Sequence, residues 1–116
     1  FIGWNSTSKT VMTDCHVLKG SSLKDMSGRA AASNGNYGGL IGFGDTKGTV
    51  LEISGCSTDV VVDGGLSTYN SCFISYLGYA STTVISNSCA AGEVKNGVAN
   101  YVVDSSDVSK LQLLLL

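Results

Sequence analysis

Apolar residues along this chain fall in runs of mostly four to six, broken by Gly, Ser, Thr and Asn, and three of the runs begin segments with one layout. Each segment has an apolar strand, a polar turn, a second β-branched strand and a cysteine. The first is Phe1-Ile2-Gly3-Trp4, a turn from Asn5 to Thr10, then Val11-Met12-Thr13-Asp14-Cys15. The second is Leu40-Ile41-Gly42-Phe43, a turn from Gly44 to Gly48, then Thr49-Val50-Leu51-Glu52-Ile53-Ser54-Gly55-Cys56. The third is Phe73-Ile74-Ser75-Tyr76, a turn from Leu77 to Ser81, then Thr82-Thr83-Val84-Ile85-Ser86-Asn87-Ser88-Cys89. A weaker fourth starts at Tyr101-Val102-Val103, so the leading residues are spaced by 39, 33 and 28 positions.

A third strand follows the cysteine, clearest in Thr58-Asp59-Val60-Val61-Val62-Asp63 before Gly64-Gly65. Three short strands per unit predict a coil of triangular cross-section. A unit of that size cannot bury its own apolar face, and stacking at the interstrand spacing of about 4.8 Å lets each coil cover the next. The expected fold is therefore all-β, a parallel β-solenoid (β-helix) of three to four coils, with residues 1–116 forming one segment of a longer repetitive chain. Helical periodicity is poor except from Ser22 to Ser33, where Leu23, Met26, Ala30, Ala31 and Ala32 fit a short helical insertion about as well as they fit irregular chain. The terminal Leu113 to Leu116 run fits either the first strand of a further unit or the end of the pattern.

The sequence Gly38-Gly39-Leu40-Ile41-Gly42-Phe43, with Gly48-Thr49-Val50 and Ser54-Gly55-Cys56-Ser57 after it, resembles the GLUG repeat of bacterial and protist surface proteins. Phe1-Ile2-Gly3-Trp4-Asn5 with Asp14-Cys15, and Phe73-Ile74 with Asn87-Ser88-Cys89, match the same pattern in part, and Ser75 replaces its glycine. About half the chain is covered. The resemblance implies an extracellular or cell-surface repeat region serving as spacer, adhesive surface or filament, and it transfers no catalytic residue.

Composition narrows the function classes. Charged residues are 14% of the chain and hydrophobic ones 43%, with 15 glycines and no proline, a balance that suits short strands and tight turns. The net charge of −2 and seven scattered Lys and Arg give no basic stripe for a nucleic-acid backbone. No apolar run is long enough for a membrane-spanning helix.

Cys15, Cys56 and Cys89 are expected at one position in three stacked units, with Cys72 outside that ladder. Three readings stand: buried free thiols, a disulfide within the set, which would imply an oxidising compartment, and a metal site. The spacing of the four cysteines and the single histidine, His16, disfavour zinc. No metal or cofactor is expected.

Trp4, Phe43 and Tyr76 fall at another shared position. Core or corner packing is the first reading and an exposed aromatic platform for glycan the second. Asn5-Ser6-Thr7 is an N-glycosylation sequon in the expected turn, which would make the chain a glycoprotein. Catalytic patterns are absent: there is no Gly-x-Ser-x-Gly elbow, Cys15 and His16 point to opposite faces of a strand, and Gly42 to Thr49 lacks the Gly-Lys-Ser/Thr order of a phosphate loop. Asp59 and Asp63 would stand about 13 Å apart on a strand, too far for a glycosidase pair. The sequence thus predicts a non-enzymatic structural or adhesive segment whose partners are copies of itself or flanking repeats. A carbohydrate-binding module, or a piece of a β-helical polysaccharide-degrading enzyme, is the alternative.

Overall fold

A computed structural model describes residues 1–26, 35–44, 50–65, 67, 69–77, 82–95 and 114–115. The first coil contains β1 (Ile2–Asn5), β2 (Lys9–Thr13) and β3 (His16–Lys24). The second contains β4 (Asn36–Gly38), β5 (Ile41–Gly44), β6 (Val50–Ser54) and β7 (Ser57–Asp63). The third repeats it as β8 (Tyr69–Ser71), β9 (Ile74–Leu77), β10 (Thr82–Ser86) and β11 (Cys89–Val94), and β12 (Leu114–Leu115) follows.

Strands join their counterparts in other coils, not their chain neighbours. Three sheets run β1-β5-β9, β2-β6-β10 and β3-β7-β11-β12, and a fourth pairs β4 with β8. Each of these pairings is parallel. The chain is all-β, with parallel sheets that stack every fourth strand, an arrangement consistent with a parallel β-solenoid of about three coils. Ile2 lies beside Ile41 and Ile41 beside Ile74, so the first two spacings read from the leading apolar residues are the register of the first sheet, and the third ends outside the described residues.

Two expectations change. The coil has a fourth short strand, β4 or β8, ahead of the first expected one; Asn-Tyr-Gly and Tyr-Asn-Ser carry no apolar alternation that would announce it. Ser22, Leu23 and Lys24, assigned to a short helix or irregular chain, belong to β3 and pair with Val61, Val62 and Asp63. Their side chains alternate about the sheet because Leu23 covers Val62, and tertiary pairing overrides a weak local preference. Residues 27–33, the rest of that segment, and the fourth unit at 101–113 lie outside the described residues. No helix occurs among the described residues.

Period-two burial makes the core. In β6, Leu51 and Ile53 are buried while Glu52 is exposed, and in β7, Thr58, Val60 and Val62 turn inward. Register then builds rows: Met12, Ile53 and Ile85 line up across one sheet, and Ile41 lies beside Ile74 in another. Leu40, Phe73 and Cys72 are fully buried between the sheets.

Glycine is required where two backbones nearly touch. A Cβ on Gly39 would lie 1.9 Å from the Cys72 carbonyl oxygen, and one on Gly42 would lie 2.7 Å from that of Asn36 and 2.8 Å from that of Gly3. Gly3, at the equivalent position of the first coil, has open space around it among the described residues.

The turn between the second and third sheets is also layered. Asp14, Gly55 and Asn87 have φ of 54°, 64° and 49°, and the flanking registers place them at one position in three coils. Gly, Asn and Asp are the residues that enter this left-handed region most readily.

Neighbouring residues of β10 test the register. Ile85 is fully buried and Val84 is 49% exposed. Ile85→Ala should destabilise by about 3 kcal/mol and Val84→Ala by under about 1 kcal/mol, measured as the shift in a urea unfolding curve. A larger cost for Val84→Ala than for Ile85→Ala would show that the two faces of this sheet are exchanged.

Candidate functional site

Two rows of side chains follow from the stacking and carry the chemistry that the structure offers. The first is the corner beside the left-handed turn. Cys15 lies level with Cys56, because His16 pairs with Ser57. Cys89 also pairs with Ser57, so the third member of the cysteine row is Ser88 and not Cys89. The reason is a one-residue offset: the third segment reads Asn-Ser-Cys where the others read Asp-Cys and Gly-Cys, and the left-handed residue sets the register.

Within this row the side chains substitute for missing ladder bonds. The Cys15 N–H donates to Cys56 Sγ at 3.4 Å, and the Cys56 N–H donates to Ser88 Oγ at 3.1 Å. Each side chain donates in turn to the carbonyl two residues before it: Cys15 Sγ to Thr13 O at 3.7 Å, Cys56 Sγ to Ser54 O at 3.4 Å, and Ser88 Oγ to Ser86 O at 2.9 Å. A corner residue that must both accept from the coil beside it and donate within its own turn is well served by Cys or Ser. All four cysteines are free thiols in this structure. Burial raises the Cys56 thiol pKa above its ordinary 9.0.

Cys72 stands apart, as expected from the sequence, but it is deeply buried and donates to Val60 O at 3.5 Å. Burial, with the Asp59 carboxylate adding to it, pushes this thiol up from 9.0 to about 11.

The second row is aromatic. Trp4 pairs with Phe43 and Phe43 with Tyr76 in the first sheet. Their rings contact edge to face at 5.6 Å and stacked at 5.1 Å, and Tyr69 meets Tyr76 edge to face at 5.5 Å. Trp4 is 69% exposed and Tyr69 38%, while Phe43 and Tyr76 are half-buried. The row is neither core nor a free platform. It is a continuous aromatic edge with its most open ring on the first coil. Tyr69 lies outside the expected row, since the short strand β8 that carries it has no apolar alternation.

Other candidates are placed as follows. His16 Nδ1 and Ser57 Oγ are 2.7 Å apart on an outward-facing row that continues to Cys89. Pairing between coils explains that contact, and no sequence pattern announced it. Asn5, expected in an open turn, ends β1 and is buried; its Oδ1 accepts from Thr7 and Thr10, both at 2.9 Å. Its Nδ2, the acceptor atom of the sequon, is buried with no partner among the described residues. Asp63 is 3.9 Å from Lys95. No cluster of three or more metal-ligating side chains occurs among the described residues, and none of their helices could cross a membrane, since they contain none. No protein-family model, curated protein or solved structure matches the chain.

The Cys72 environment sets an alkaline limit. A thiol whose folded pKa lies above its unfolded value favours the folded state fully below the unfolded pKa and loses that contribution as pH rises through the folded one. Unfolding midpoints should therefore fall between about pH 9 and 11. Cys72→Ala should remove part of this fall, visible as a shallower plot of denaturant midpoint against pH; an unchanged slope would show that Cys72 does not contribute to it.

Proposed function

We propose that this chain is a non-enzymatic, structural repeat segment of an extracellular surface protein or filament, which works by laying one coil on the next. The observation that carries this is the unequal burial of equivalent residues along the stack. Ile41 and Val62 in the second coil are fully buried, whereas Ile2 and Leu23, their counterparts in the first, are only half-buried. Phe1, Leu18 and Met26 in that coil are 71%, 71% and 83% exposed. A hollow of about 420 Å³ lined by Phe1, Val17, Leu18, Leu23 and Val60 opens there as well. Covering it with another coil, from a flanking repeat or a neighbouring copy, would complete the core rows and give the edge strands β1, β2 and β3 partners. The resemblance to the GLUG repeat supports a surface location and an adhesive or spacer role.

Sedimentation velocity over a concentration series tests the assembly. The isolated chain should shift to larger species as concentration rises, and electron microscopy of them should show end-to-end stacks. A chain that stays monomeric at millimolar concentration overturns the reading.

The aromatic edge favours a second reading, carbohydrate binding, because Trp4 offers an open ring beside two stacked ones. Binding on a glycan array that falls at least about tenfold in Trp4→Ala, with the thermal midpoint unchanged, would establish it. Absence of any bound glycan would remove it.

A further inference from the structure

We propose that Cys15 and Cys56 form a disulfide that staples the first coil to the second, made by exchange with a small-molecule disulfide. The inference rests on register and not on the assembly reading above, so either can fail alone.

Four cysteines allow three complete pairings, and the structure separates them. Cys15 and Cys56 share one row in adjacent coils, with the Cys15 N–H on Cys56 Sγ at 3.4 Å. Parallel neighbours about 4.8 Å apart fall inside the Cα separation a disulfide accepts. Cys89 sits one residue further along, beside Ser57, on the face opposite to Cys56. Cys72 is sealed in the core with its thiol on Val60 O. Neither has a cysteine beside it in the register.

Closing the bond asks the two Cβ atoms to approach to about 3.8 Å. The first coil can supply that movement because it is packed on one side only among the described residues, with Ile2, Val17 and Leu23 half-buried. Access also differs between the two thiols: Cys15 is half-buried and Cys56 is 1% exposed. An incoming disulfide therefore meets Cys15 first. The Cys15 thiolate attacks one sulfur of the reagent, the reagent's S–S bond breaks, and its other half leaves as a thiol. The Cys56 thiolate then attacks Cys15 Sγ, the mixed disulfide breaks and the second half leaves. Both cysteine protons and two electrons end on the two reagent thiols.

Ser88 occupies the same corner position in the third coil with the same two kinds of hydrogen bond. Cysteine is thus not needed for the turn itself, and serine variants of the row should fold. The staple would close a loop spanning 41 positions, which restricts the unfolded chain and ties down the least covered coil.

Oxidised glutathione is the probe. The whole chain is incubated with it, quenched with an alkylating agent and mapped by mass spectrometry, with circular dichroism recording fold and thermal midpoint. The expected product is one intramolecular Cys15–Cys56 link with Cys72 and Cys89 still alkylatable, and a midpoint raised by about 10 °C. Cys56→Ser should stop at a glutathione adduct on Cys15, and Cys15→Ser should leave Cys56 unmodified; neither should show the rise. A link to Cys72 or Cys89, links only between chains, or no link in a folded chain whose Cys15 is alkylated by the reagent would each overturn the proposal.

Discussion

Parallel, in-register pairing is the constraint on which the rest of this structure depends. When a strand lies beside its counterpart one coil away, each side chain stands level with the equivalent residue and faces the same way. Rows must then be filled with residues of like size and polarity. Met12, Ile53 and Ile85 do this in the core, Trp4, Phe43 and Tyr76 at the surface, and Cys15, Cys56 and Ser88 at the corner. The backbone bonds run between coils: Ser57 N–H donates to Cys15 O and Cys89 N–H to Cys56 O, both at 3.0 Å. Cohesion is therefore longitudinal, and a coil without a neighbour loses both its ladder bonds and its cover.

The same constraint explains what the sequence made legible. Strand positions, parallel stacking and the spacing of the first two repeats were readable because apolar alternation and register have the same cause. Alignment on cysteine places the third unit one residue out of register, since the backbone conformation and not the residue type sets the row. Asp14, Gly55 and Asn87 share a left-handed φ, and aligning on them places Ser88 in the row. The short strands β4 and β8 leave no apolar signature, because they are held by bends at Gly39-Leu40 and Cys72-Phe73 and by close backbone approach. Ser22 to Lys24 show the opposite error, in which a locally ambiguous stretch is decided by the partner it meets in β7.

Close approach also accounts for the small residues at the middle of the first sheet. Asn36 O would crowd any Cβ at Gly42. At the equivalent point of the third coil, Ser75 fits because its hydroxyl donates to Tyr69 O at 2.5 Å. One coil avoids the neighbouring carbonyl and the other bonds to it. Both choices keep the fourth sheet against the first, and that contact sets Tyr69 on the edge of Tyr76. The surface aromatic cluster is in this sense a product of the glycine and serine beneath it.

Exposure along the aromatic row follows its place in the stack. Phe43 has a ring on each side, and Trp4 has one on a single side. Another coil laid on β1 would put a residue beside Trp4 and reduce its exposure in the same step that covers Ile2 and Leu23. Assembly and ligand binding at this edge would then compete for one tryptophan, whereas Tyr69 on β8 and Tyr76 on β9 lie two coils from that face. A stacked form would retain the tyrosine end of the edge and lose the tryptophan end, so any ligand held through Trp4 would be released as the stack grows over β1.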